Sequence, residues 1–582
     1  MEKKVNPVII LPGINHSPTF LYDENDRQMF DSNGNPIGGS MFFPDTRAAK
    51  EKFTALLKKL ATVAFIQNAD FVYERAYDVG CAAFAPQRCN MSGDHVNNLK
   101  TKRWNYPVSE MLQEDKDWVY LMVPMQKVTA ITGEDNFYFF TFNLVGDPMK
   151  SAAELDEFIE MVKEQRGCEK VSLLPVSLGG TILTAYLDQF GHDKIDKIIN
   201  IVACLDGTPI VADIYAHNFN VSAEYLHHDF LAEIIKEEKG RGTIGYIINT
   251  LLHLLPEEAF NLALKGLVNS VLDTIMINCP QFWAMVPSYR YDELAVKYLG
   301  DAAHSALKAR TDRFQQARLN LRENLLKAAA DGVIINSISG SNLNFGEKMY
   351  SFLGCVNSAK KYNTDGVINL GSTTLGATGA ADGSALPEGY RQVNESPDYP
   401  DYSYISPDGR IDASTAVLPD NTWIFLDQYH EVGRNDSVLN LAKALILGDI
   451  ENVHSDPDKY PQFNRFCNTY ELRRRKLPAI NKIMEEIEAG KFQCSETRKA
   501  EFQSIIDEAE AVLNLTIGDD ERAQAVCERI DKTLIGLGRL APKESDGRRE
   551  EFFEKFSEMV SKSTLRYLGG GNIIDKIKKK LG

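Results

Sequence analysis

Between residues 136 and 209 the chain alternates short apolar runs with amphipathic ones: "NFYFFTFNL", "SAAELDEFIEMVKEQRG", "KVSLLPV", "GGTILTAYLDQFG" and "KIDKIINIVACLDGTP". The apolar runs are nearly continuous, as expected of strands covered on both faces. The runs between them have helical spacing, and the first is expected to open on a serine cap. Strand, helix and strand at this spacing join parallel neighbours, which predicts the α/β class with a doubly wound, mostly parallel sheet. "NPVIILPGINHSP" near the start supplies a further buried strand. "DGVIINSISGSN" and "NTWIFLDQYHE", followed by the helix "DSVLNLAKALILG", supply late ones.

The remaining segments divide the chain. A chain of 582 residues exceeds one ordinary core. Residues 20–45 read as a surface hairpin with "DSNGNPIGG" as its turn, and "KEKFTALLKKLATVAF" as an amphipathic helix. Residues 207–330 interrupt the strand rhythm and read as almost wholly helical, like a cap. After about 455 the chain is charged and helical, with no strand expected. The expected division is a first core part at 1–206, a helical lid at 207–330, a second core part at 331–452 and a helical domain at 453–582.

Composition narrows the function classes. The formal net charge of −17 argues against nucleic acid as a partner, because phosphate binding needs clustered cations. Nine cysteines form neither a CxxC pair nor a zinc-spaced Cys/His cluster, so no metal or cofactor is expected. Cys81 and Cys89 are near enough in sequence for a local bridge, and reduced thiols are the equal alternative. The apolar region 242–279 is interrupted by Pro256, Glu257 and Glu258, leaving no segment of the ~20 apolar residues that would cross a bilayer. "MEKKVNPVII" reaches a strand without an apolar leader. The expectation is a cytoplasmic protein if the chain is complete as written, and an extracellular one if a leader has been removed.

Chemistry concentrates at "PVSLGG", residues 175–180. A serine between a buried strand and a glycine-led helix is lifted above the carboxyl end of the sheet, with the helix N-terminus aimed at the same point. The backbone N–H of Leu178 is then placed to donate to an oxyanion. The segment resembles the G-x-S-x-G elbow of the α/β-hydrolases, and the core is most similar to their lipase and lecithin:cholesterol acyltransferase-like branch. Pro175 stands where that family carries its first glycine. "VIILPGINHS" is similar to the family's oxyanion loop, which implies Ile14 as the second N–H donor; losing one such donor typically costs ~100- to 1000-fold in rate.

The resemblance also orders the partners as serine, acid, histidine. Eight histidines follow Ser177, and His430 alone follows a late strand and precedes a capped helix, where the family carries its imidazole. "NTDGVINLGSTTLGA" is similar to the acid-bearing stretch of bacterial lipases and favours Asp365, with Asp206 in "CLDGTP" as the main rival. Asp382, Asp408 and Asp412 sit in turn-like contexts. The resemblance thus implies Ser177, Asp365 and His430 as catalytic, Ile14 and Leu178 as oxyanion donors, and hydrolysis of a carboxylic ester with an apolar acyl part. The apolar residues of "YIINTLLHLL", "FNLALKGLVNSVLDTIM" and "CPQFWAMVPSYRY" would lie near that site, although most are needed to pack the cap.

Two other functions fit the same residues: an acyltransferase with the same triad, and a non-catalytic adhesion protein on a hydrolase scaffold. The second alternative draws on residues 496–538, whose apolar stripes Phe502, Ile505, Ile506, Ala509 and Leu513, and Ala523, Cys527, Ile530 and Leu534, resemble the FIVAR-type modules of wall-associated bacterial proteins. Such a tail implies a surface or protein contact. The basic end "NIIDKIKKKLG" reads as a solvated helix end in preference to a contact with an anionic surface.

Overall fold

Consecutive residues of a strand point to opposite faces of its sheet, and here both faces are apolar. The computed structural model describes residues 5–14, 16–30, 34–39, 70–218, 257–343, 361–381, 384–431, 435–465, 472, 476–513 and 520–537. In chain order its strands are β1 (Val8–Leu11), β2 (Thr19–Tyr22), β3 (Gly38–Gly39), β4 (Asn98–Thr101), β5 (Phe137–Phe139) and β6 (Val171–Pro175). They continue with β7 (Ile195–Ile201), β8 (Ile334–Gly340), β9 (Thr378–Gly379), β10 (Ile411–Asp412), β11 (Thr422–Leu426) and β12 (Phe463–Arg465).

Seven of these form one sheet in the order β12-β11-β8-β7-β6-β1-β5. Every neighbouring pair in it is parallel. Ile9, Leu11, Leu173, Ile198 and Ile335 pack on one face with residues of the helices Pro148–Arg166, Gly179–Phe190 and Ser305–Ala330. Val8, Ile10, Leu174, Ile199, Ile338 and Phe425 pack on the other with Trp104, Val119 and the helix Asp436–Leu447. Each wholly buried side chain of this size favours the folded state by about 1.5–3 kcal/mol. The order matters for function. The chain leaves β1 toward β5 on one side and β6 toward β7 on the other, so a crevice is expected at the carboxyl ends of β1 and β6.

The rest differs from expectation in instructive places. Of the hairpin expected at 20–45, β2 pairs antiparallel with β3, which comes from the expected turn, residues 31–33 and 40–45 lie outside the described residues, and β4 adds a third antiparallel strand. The amphipathic helix expected at 50–65 and the basic end at 572–582 lie outside the described residues. The helix after β5 is capped by Asp147, not by a serine. Its carboxylate accepts the Met149 N–H at 2.9 Å, and Pro148 occupies the first helical turn. Ser151 lies buried inside that helix. The expectation that no strand follows 455 is also corrected. β12 pairs with β11, Trp423 Nε1 donates to the Tyr460 carbonyl at 3.0 Å, and Val453 is buried, so residues 453–465 extend the sheet unit.

The chain divides into two compact units, residues 1–468 with 513–520, and residues 469–512 with 521–582. The described part of the second unit is helical, with helices at Leu477–Glu488, Glu496–Leu513 and Asp520–Gly536. Phe502, Ile505, Ile506, Ala509, Ala523, Ile530 and Leu534 are buried, as their spacing requires; Cys527 is half-buried. No helix among the described residues is long and apolar enough to cross a membrane.

Asp147 also receives Arg310 Nε at 2.8 Å, so it joins a cap to an ion pair. Asp147→Ala is expected to lower stability by about 2 kcal/mol, and Ser151→Ala by less than half of that, measured as shifts in the thermal unfolding midpoint. Equal shifts would return the cap to the serine.

Candidate active site

The carboxyl ends of β1 and β6 lie side by side, with Leu11 opposite Pro175. Proline has no N–H for the ladder, but pairing resumes at once: Val176 donates its N–H to the Leu11 carbonyl at 2.8 Å. The next residue, Ser177, takes the left-handed conformation, with φ 51°. Few non-glycine residues adopt it, and it stores roughly 1–3 kcal/mol unless the surroundings impose it. They do impose it. Ser177 donates its N–H to the Ile201 carbonyl at 3.1 Å, and its own carbonyl accepts from Cys204 at 2.8 Å and Gly180 at 3.0 Å. The tip of β7 bends to meet the turn, with Val202 also left-handed at φ 43°.

The two glycines after the serine make this approach possible. A Cβ on Gly179 would lie 2.1 Å from the Leu11 carbonyl oxygen, and one on Gly180 would lie 2.7 Å from the Cys204 nitrogen. Both obstacles are backbone, so neither position admits a side chain. The helix Gly179–Phe190 therefore starts directly above β1, with Leu178 at its mouth, and the N–H groups of Gly179 and Gly180 donate to the Val176 and Ser177 carbonyls at 2.9 and 3.0 Å.

Ser177, His430 and Asp365 form one hydrogen-bonded line. His430 Nε2 lies 2.8 Å from Ser177 Oγ, and His430 Nδ1 lies 2.7 Å from Asp365 Oδ2. A carboxylate facing Nδ1 keeps the proton on that nitrogen and leaves Nε2 to accept from the serine hydroxyl. Asp365 is fully buried, and its other oxygen accepts the N–H groups of Val367 at 2.9 Å and Ile368 at 2.8 Å. The backbone reinforces the pair, since the His430 N–H donates to the Asp365 carbonyl at 2.8 Å. Gly340, at the end of β8, lets these segments converge: a Cβ there would meet the Gln428 carbonyl oxygen at 2.5 Å and Asp365 Cβ at 2.8 Å.

The loop after β1 reaches the same point. Gly13 lies against Ser177, so that an added Cβ would sit 3.3 Å from Ser177 Cβ. The Gly13 N–H donates to His16 Nδ1 at 3.2 Å, which holds the loop closed, and Ile14 is half-buried behind it. Neither His16 nor Gly340 was singled out from the sequence. His16 had only its place in "PGINHS" as a signal, and Gly340 only its place at the end of an apolar run.

The rival acids are engaged elsewhere. Asp206 accepts the N–H and hydroxyl of Ser288 at 3.0 and 3.1 Å, close to the buried Arg318. Asp408 accepts from Asn342 and Ser406. Asp412 caps the short turn at Ala413–Thr415 and accepts from Tyr390. Asp382 lies outside the described residues, as do His227, His228 and His253. His192, His304 and His454 pair with Asp331, Asp301 and Asp420, and His217 with Asn269. Phe282, Trp283, Met285 and Val286, expected mostly to pack the cap, are buried in the core on that face of the sheet. Among the described residues no group of three or more His, Cys, Asp or Glu side chains could hold a metal ion.

A serine hydroxyl paired to an oriented imidazole, at the mouth of a helix and against the loop after β1, has the parts for nucleophilic acyl transfer. No protein-family model matches the chain, and no curated protein matches it in sequence.

Gly179→Ala is expected to lower stability by about 3 kcal/mol or more, because the carbonyl it meets belongs to a central strand. Gly371→Ala, whose Cβ would make only contacts of 3.5 Å and longer, serves as the control and should stay near neutral. Equal unfolding midpoints for the two variants would contradict the close approach.

Proposed function

We propose that the protein is a serine hydrolase of α/β-hydrolase type that cleaves carboxylic esters with an apolar acyl part. The observation that carries this reading is the line from Ser177 Oγ through His430 to the buried Asp365, assembled from residues up to 253 positions apart in the chain. Packing alone gives no reason for a left-handed serine at a sheet's carboxyl end to face a histidine already oriented by a buried carboxylate.

In this reaction His430 Nε2 takes the proton from Ser177 as its oxygen attacks the ester carbonyl. Asp365 fixes the imidazole and stabilises its cation, without itself becoming protonated. The N–H groups of Leu178 and Ile14 stabilise the developing oxyanion. Collapse expels the alcohol, which takes the proton from His430, and leaves an acyl group on Ser177. Water, activated in turn by His430, then releases the acid.

Two measurements test the reading. A fluorophosphonate probe is expected to label the wild-type chain on Ser177 and to leave Ser177→Ala unlabelled; labelling that persists in the variant would move the nucleophile elsewhere. With p-nitrophenyl esters of increasing acyl length, Asp365→Asn is expected to lower kcat by about 10⁴-fold, whereas Asp206→Asn should leave kcat within about tenfold in any variant that stays folded. The reverse order would make Asp206 the acid. An added acceptor alcohol separates hydrolysis from acyl transfer.

A further inference from the structure

Away from this site, two thiols and an imidazole meet in the interior where the helical run meets the turn at Val145–Gly146. Cys89 is 1 % exposed and Cys279 is fully buried, and both are free thiols. They approach consecutive carbonyls of one turn: Cys89 Sγ lies 3.6 Å from the Val145 oxygen, and Cys279 Sγ lies 3.9 Å from the Gly146 oxygen. The two sulfurs are neighbours, each acting electrostatically on the other. His95 Nδ1 lies 3.6 Å from Cys89 Sγ, and its Nε2 is held by Asn143 at 2.8 Å. The Cys81–Cys89 bridge considered from the sequence is absent, since Cys81 is also a free thiol.

The backbones carrying the two cysteines are already pinned together. Gln281 donates its N–H to the Gly146 carbonyl at 3.1 Å. Arg310 donates to Asp147 at 2.8 Å, to the Ser92 carbonyl at 2.7 Å and to Asp94 at 3.0 Å. These bonds tie the segments that carry the two cysteines to the same turn. The proton bookkeeping favours a bond between the sulfurs. Cys279 and His95 hold Cys89 below the usual thiol range, while burial pushes Cys279 up. One sulfur is thus prepared as the nucleophile and the other as its proton-bearing partner.

We propose that Cys89 and Cys279 are an oxidation site that closes to a disulfide when a hydroperoxide enters the seam between the segment 85–101 and the helical run. The Cys89 sulfur attacks one peroxide oxygen, the O–O bond breaks, and the departing oxygen leaves as water with the proton that Cys89 loses. Cys89 is then a sulfenic acid. The Cys279 sulfur attacks Cys89 sulfur, the S–O bond breaks, and the departing hydroxide leaves as water with the Cys279 proton. Two thiols and one hydrogen peroxide become one disulfide and two waters. Burial of both sulfurs excludes a carbonyl substrate, so the Cys89, His95 and Asn143 set acts as a redox pair and not as a second hydrolytic centre. An oxidant little larger than water needs only a local opening of the seam.

The test uses the full chain treated with hydrogen peroxide, alkylated without reductant, digested and analysed by mass spectrometry. A peptide pair joining Cys89 to Cys279 is expected, about 2 Da lighter than the sum of its parts, and lost on adding dithiothreitol. The thermal midpoint of the oxidised chain is expected to rise by several degrees. In Cys279→Ala the same treatment should leave Cys89 as a sulfenic acid that dimedone traps. Full alkylation of both cysteines after peroxide, or a bridge from Cys89 to Cys81, would overturn the proposal. The wild-type mapping decides between these outcomes even if the variant fails to fold.

Discussion

The helix that follows Ser177 begins where two backbones nearly touch. The Leu11 carbonyl at the end of β1 and the Cys204 nitrogen beyond β7 leave no room for side chains at residues 179 and 180. That contact fixes where the helix starts, forces the turn before it into the left-handed region, and holds a hydroxyl above the sheet. Everything else at the site is arranged around this fixed oxygen. The His430 loop follows β11, and the acid follows β8, two strands that extend the sheet in order beyond β7. A parallel sheet brings all its carboxyl ends to one edge, so residues far apart in the chain meet there without any long excursion.

Rigidity at the site comes mainly from backbone hydrogen bonds. Asp365 is held by two backbone N–H groups and by the link from its carbonyl to the His430 N–H, so the acid and imidazole move together. Ser177 is held through both its N–H and its carbonyl. Side chains can be substituted around such a frame without losing its geometry, whereas the glycines that permit it cannot. The helical run follows a different logic. Its Arg318 is buried beside Asp206 and bonded to backbone carbonyls, and its apolar residues complete the core on one face of the sheet.

How much of this was legible in the sequence depended on the range of the signal. Continuous apolar runs announced β1, β6, β7, β8 and β11, because burial on both faces leaves no alternation to misread. β12 escaped because "FNR" is short, polar and set in a charged stretch. The helix after β5 was misread at its start, although Asp147 followed by Pro148 is itself a start signal; the serine three residues on was given more weight than the proline. Ser177 was visible from local spacing, while His430 and Asp365 were singled out by resemblance and chain order. No local pattern could show that Asp206 would be taken up by Ser288. The pairing of Cys89 with Cys279 was invisible for the same reason: the contact is made by folding, between elements with no common motif.

Whether Ser177 carries an acyl group during turnover tests the account most directly. Rapid mixing of the intact chain with a p-nitrophenyl ester, quenched in acid and mapped by mass spectrometry, should show a burst of p-nitrophenol and an acyl adduct on the peptide containing Ser177. An adduct on any other residue, or p-nitrophenol release without a covalent acyl species, would contradict it.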